Sequence, residues 1–128
     1  MPLGFRGKAA SVDAAMRSIQ GACLLDRRQM AALARKPNTI CKISGIVARA
    51  RKGAWSAADL APVINHCLDE FGPDRVVFGS DWPVCNLTRD LAIWTGLLDE
   101  ILAGCSEDEL ARLYSRNART IYHLKPLA

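Results

Sequence analysis

The feature that most constrains this chain is the alternation of two short apolar runs with helices that are apolar on one side only. Ile40-Cys41-Lys42-Ile43-Ser44 reads as one strand and Arg75-Val76-Val77-Phe78-Gly79 as another, about 35 residues apart from start to start. The second is nearly all apolar, as strands buried on both faces of a parallel sheet are. Between them, from Ser56 or Asp59, a helix is expected in which Leu60, Val63, Ile64, Cys67, Leu68 and Phe71 recur at three-four spacing, until Gly72-Pro73-Asp74 breaks it. Strand, helix, strand implies parallel pairing with a right-handed crossover. Two strands alone leave edges unpaired and offer the helix stripes too little sheet to cover. The pattern is therefore that of part of a larger α/β sheet.

Flanking segments fit the same alternation. Asp26 is placed to cap a helix from Arg27 to about Arg35, which Lys36-Pro37-Asn38 stops. A further helix runs from about Asp90 to Ala103, with Leu91, Trp94, Leu97, Leu98, Ile101 and Leu102 on one side and Gly104 after it. Ser106 and Glu109 have capping-box spacing and open a short helix, and a last turn or helix starts at Asn117. Residues 1–25 are Gly- and Ala-rich with weak periodicity, a poorly defined N-terminal segment set apart from a domain over 26–128.

Composition narrows the class. Half of the 128 residues are hydrophobic and 23% are charged, which excludes a disordered chain. The five cysteines, at 23, 41, 67, 85 and 105, form no Cys-x-x-Cys pair, so reduced thiols in a cytoplasmic protein are expected rather than a disulfide frame or structural zinc. No run approaches the ~20 apolar residues of a membrane span. Residues 1–58 hold eleven Lys or Arg against two acids, and residues 59–128 hold six against eleven. The basic half is dispersed and free of interleaved aromatics, so it reads as a solvated face and not as a nucleic-acid surface.

Chemistry concentrates after the second strand, in Gly79-Ser80-Asp81-Trp82-Pro83. The C-terminal ends of parallel strands are where α/β folds put ligands. Taken bare, an Asp between a buried strand and Trp-Pro is more often a turn or cap residue than a catalytic one. On the first strand, alternation puts Lys42 and Ser44 on the face opposite Cys41 and Ile43.

Several of these pieces occur together in one known family. Pro37-Asn38 leading into Cys41-Lys42-Ile43-Ser44-Gly45, Phe71-Gly72-Pro73-Asp74-Arg75 leading into Phe78-Gly79-Ser80-Asp81-Trp82-Pro83-Val84, and Asn117-Ala118 with Tyr122 and Leu124 follow in order over some 100 residues. In this the chain resembles the C-terminal portion of the amidohydrolase-related, lactonase-like branch of the amidohydrolase superfamily. The resemblance implies a partial (β/α)8 TIM barrel and a hydrolase opening a lactone, or a similar carboxylate-bearing ester or amide, with metal-activated water. It makes Asp81 both the metal-site carboxylate and the general base. A carboxylate beside a divalent cation stays ionised and accepts a proton from a water that the metal acidifies. Trp82 and Ser80 would shape the pocket mouth, the alternative being packing and capping. Lys42 and Ser44 would face the barrel interior and contact an anionic substrate, the alternative for Lys42 being a structural ion pair.

The departures matter equally. Relatives carry a His-x-His pair on the first strand and a histidine on a middle strand, whereas this chain has only His66, expected to face solvent, and His123, in the terminal turn. Pro2-Leu3-Gly4 resembles a loop that follows a histidine-bearing strand in relatives, so the chain is expected to start just downstream of it. One carboxylate falls short of the about three protein ligands of a catalytic metal site. The divalent metal, zinc or manganese, is therefore not expected to be held by this chain alone. The alternative to an enzyme is a non-catalytic remnant that folds only by association with itself or another chain through exposed barrel edges.

Overall fold

The computed structural model describes residues 26–44, 46, 56–87 and 90–126. Helix α1 (Arg27–Ala34) begins at a reciprocal cap, Asp26 Oδ1 accepting from Gln29 N and Gln29 Oε1 from Asp26 N, both at 2.8 Å. It ends where the Thr39 hydroxyl turns back onto Leu33 O at 2.7 Å and Lys36 O at 2.8 Å. Strand β1 (Cys41–Ile43) follows, then helix α2 (Ala57–Phe71), whose first turn is closed by Asp59 accepting from Ser56 N at 2.7 Å. Strand β2 (Val76–Phe78) pairs parallel with β1 in the register Cys41 to Val76, Lys42 to Val77 and Ile43 to Phe78. The ladder reaches one residue beyond β2 on either side, from Cys41 N donating to Arg75 O to Gly79 N donating to Ile43 O.

Helix α2 anchors the unit. Leu60, Ile64 and Leu68 are fully buried in one continuous core with Cys41, Ile43 and Val76, each contributing roughly 1.5–3 kcal/mol by leaving water. Helix α3 (Leu91–Ile101), capped by Asp90, adds Trp94, Leu98 and Ile101 to that core. Phe78 lies between Trp94, with ring centroids 6.3 Å apart, and Tyr114, at 5.1 Å edge to face. Tyr114 donates to Asp99 at 2.6 Å; burial, and then that bond, hold its phenol well above the ordinary tyrosine range.

The α/β order, the parallel pairing and the crossover helix agree with expectation, and four details correct it. His66 does not face solvent: its side chain is 9% exposed, and its Nε2 lies 3.2 Å from Arg27 O because α1 packs over that face of α2. Ile40 stands outside β1 and is exposed. The expected short helix and separate last turn are one continuous run, α4 (Glu107–Ala111), a π-helical turn (Arg112–Arg116) and α5 (Asn117–Ile121). A 3-10 turn at Val84–Leu87, not anticipated, follows the candidate site. The N-terminal segment 1–25, Cys23, Gly45 and the basic loop 49–53 lie outside the described residues.

Candidate active site

Paired residues of parallel strands point to the same side of the sheet. Cys41 with Val76 and Ile43 with Phe78 thus face the helices, while Lys42 and Val77 face the opposite side. Alternation continues that second face to Ser44 and Gly79. Side chains crowd the backbone there: a Cβ placed on Gly79 would stand 2.6 Å from Lys42 Cε and 2.8 Å from Ser44 Cβ. Lys42 and Ser44 therefore lie together across the end of β2, as strand alternation led one to expect.

Asp81 comes two residues later, at the C-terminal end of that strand and half-buried. Its φ of 54° is in the left-handed region, which costs a non-glycine residue about 1 kcal/mol and which Asp tolerates better than most. The chain turns sharply there: Ser80 Oγ accepts from Trp82 N at 3.2 Å, the Trp82–Pro83 bond is cis, and Cys85 N donates to Asp81 O at 2.9 Å. Cys85 is fully buried and pins the loop to the core, whereas Trp82 is 64% exposed and Val84 and Leu87 are exposed with it. The loop is thus an anchored carboxylate with an apolar lip.

Lys42 is exposed and Ser44 half-buried. Among the described residues neither Lys42 nor Asp81 takes part in an ion pair, so the structural pairing weighed for Lys42 is not formed there.

Two residues that sequence reasoning did not single out for a role fix the strand ends beneath this site. Asn117, 6% exposed, donates from Nδ2 to Pro73 O at 2.6 Å and Val76 O at 2.9 Å, holding the start of β2. Arg75 spreads its guanidinium over the carbonyls of Ala34, Lys36, Thr39 and Phe71. No local pattern announces either, since their partners lie in other elements. Gly79 carried a signal, because a glycine at a strand end marks a close approach of neighbouring groups.

No cluster of three ligating side chains that could hold a divalent metal forms among the described residues, around Asp81 or elsewhere. His66 is committed to the α1–α2 contact, and His123 is exposed after α5. By themselves the described residues do not fit a catalytic metal site. The described thiols Cys41, Cys67, Cys85 and Cys105 are free, and contact with Cys41 together with burial pushes the Cys67 thiol up.

A model of the amidohydrolase family matches residues 27–124. The L-fucono-1,5-lactonase of Burkholderia multivorans is 39% identical over 98 residues, which are 73% of this chain and 26% of that protein. The L-rhamnono-gamma-lactonase of Scheffersomyces stipitis is 30% identical over 102 residues, covering 69% of this chain and 29% of the relative. Among solved structures, a zinc-bound amidohydrolase from Burkholderia multivorans superposes with a TM-score of 0.70 at 34% identity, over 77% of this chain and 37% of that one. The chain thus spans about a third of the length of the proteins it matches, and its α/β unit corresponds to part of their TIM barrel.

Proposed function

The chain belongs to the amidohydrolase family, and from that premise we propose that it carries the C-terminal catalytic part of a hydrolase that opens sugar lactones or similar carboxylate-bearing esters or amides. The observation that carries this reading is the convergence of Lys42 and Ser44 over Gly79 at the strand end from which Asp81 emerges. Water attacks the lactone carbonyl carbon while the Asp81 carboxylate takes its proton. The ring C–O bond then breaks, and the departing alkoxide recovers a proton to give the open hydroxy acid. Lys42 and Ser44 bind carbonyl or carboxylate oxygen, and the exposed Trp82 offers an aromatic wall to the apolar face of a sugar ring. A divalent metal, zinc or manganese, when bound, supplies Lewis acidity and an acidified water. Asp81 is the residue here to contribute to its site, and the other ligands would have to come from outside the described residues. The four cysteines among the described residues are free thiols, which suits the cytoplasm, and among the described residues no helix is long and apolar enough to cross a membrane.

A second reading rests on the two-stranded sheet, whose outer edges have no strand partner among the described residues. It is a non-catalytic remnant that folds by pairing with itself or with another chain. Hydrolysis of L-fucono-1,5-lactone and L-rhamnono-γ-lactone, followed with a pH indicator in zinc or manganese, separates the two. Turnover that falls about 10²–10⁴-fold in Asp81→Asn supports the general base. Equal turnover in both proteins refutes the role of Asp81, and no turnover from a protein that runs as an oligomer supports the remnant.

A further inference from the structure

We infer that Gly79 is a positioning residue, whose missing side chain is the space through which Lys42 and Ser44 are brought to the end of β2; this rests on the reading of that strand end as a ligand site. Any side chain at this position would displace its neighbours. A Cβ at position 79 would come 2.6 Å from Lys42 Cε, 2.8 Å from Ser44 Cβ and 3.4 Å from Ser44 Oγ, and non-bonded carbons are at their best separation only at about 3.5–4.0 Å.

Nor is the glycine free to withdraw. Its N–H donates to Ile43 O at 3.0 Å, and its carbonyl accepts from Trp94 Nε1 at 3.3 Å, from a ring that is completely buried. One bond holds Gly79 to the neighbouring strand and the other to the core. A methyl group at 79 is therefore relieved by moving the side chains, not the backbone. Ser44 resists, because its contacting atom is attached directly to the main chain. Lys42 yields, because its contacting atom is near the end of a flexible exposed stem.

The consequence is specific. The Lys42 ammonium sits one bond, about 1.5 Å, beyond the atom that rests on Gly79. The course of its stem is thus set by the open space over the Gly79 Cα and not by an ion pair, which Lys42 lacks among the described residues. A cation whose stem passes over Gly79 presents its charge to an incoming oxygen anion at the end of β2.

The test uses the chain with 13C-labelled lysine, the Lys42 ε signal being assigned by its disappearance in Lys42→Arg. In the wild type the Lys42 ε protons should show a nuclear Overhauser contact to the Gly79 α protons, and its absence overturns the proposal without any variant. Potassium L-fuconate, the hydrolysis product of L-fucono-1,5-lactone, should shift the Lys42 signal more than potassium chloride of equal ionic strength. Gly79→Ala should move the signal toward that of a free lysine and weaken L-fuconate binding about tenfold, and adding Lys42→Met to that variant should cost little more. Full additivity of the two losses, or a Gly79→Ala protein with unchanged Lys42 signal and affinity, overturns the positioning role. If Gly79→Ala fails to fold, Ser44→Gly/Gly79→Ala removes the stiffer clash and leaves the Lys42 contact to be read. A wild-type Lys42 contact that Gly79→Ala abolishes, with no response to L-fuconate in either, supports the positioning and refutes the lactone-site reading instead.

Discussion

Replacing Arg75 by Met should destabilise the protein by about 3 kcal/mol, through the loss of one guanidinium that ties three elements together. Arg75 donates to Ala34 O at 2.7 Å, Lys36 O at 3.1 Å, Thr39 O at 3.3 Å and Phe71 O at 3.2 Å, and it stacks 5.4 Å from the Phe71 ring centre. The first two carbonyls lie at the end of α1, the third leads into β1 and the fourth closes α2. Hydrogen bonds from a charged donor contribute about 1.5–3 kcal/mol each when short and buried. Only the bond to Ala34 is short, and the Lys36 carbonyl lies at an exposed site where water replaces the donor. Counting one strong bond, two weak ones and a partly exposed cation–π contact of about 0.5–1 kcal/mol gives a total near 3 kcal/mol. That corresponds to a fall in melting temperature of about 10 °C for a domain of this size. Arg75→Lys keeps the charge, but a single ammonium cannot fan out to four carbonyls, so it should recover less than half of the loss. Urea and thermal unfolding followed by circular dichroism measure both. A loss below about 1 kcal/mol in Arg75→Met, or full recovery in Arg75→Lys, would refute the reasoning.

Asn117→Ala should cost about 2 kcal/mol, because it strands the Val76 carbonyl inside the fold. Asn117→Asp should cost more, since it turns an acceptor toward two acceptors, and unfolding curves of the pair decide this. Asp108 is held below the usual carboxylate range by its hydrogen bond to Arg116, then by Arg112. A depressed carboxylate adds stability that is present above the unfolded-state value, about pH 3.9, and is lost as pH falls through the lower folded-state value. Asp108→Asn should therefore flatten the acid limb of the stability curve below about pH 4 while leaving its neutral limb parallel to wild type. Added salt should shrink the difference.

What the sequence determined by itself were the features whose causes are local or periodic. The stripe of Leu60, Ile64 and Leu68 specifies a buried helix because three-four spacing stacks these residues on one side. Asp26 with Gln29, and Ser106 with Glu109, cap helices across three residues. The apolar run at 76–78 demanded neighbours on both faces, and strand alternation by itself separates Lys42 and Ser44 from Cys41 and Ile43. Motif order from Pro37 to Leu124 carried the family resemblance, and the family model matches residues 27–124. The tertiary structure alone decided whatever depends on a partner distant in the chain. His66 is covered because α1, 39 residues earlier, lies over it. Apart from the Phe71 carbonyl four residues before Arg75, Arg75 and Asn117 take their roles from carbonyls 36–44 residues away. The close approach at Gly79 exists only because β1 and β2 pair in one register and not in another, since a slip by one residue would turn Lys42 toward the helices. Side-chain periodicity is a property of one segment. Register, and the meeting of two strand ends, is a property of the packed whole.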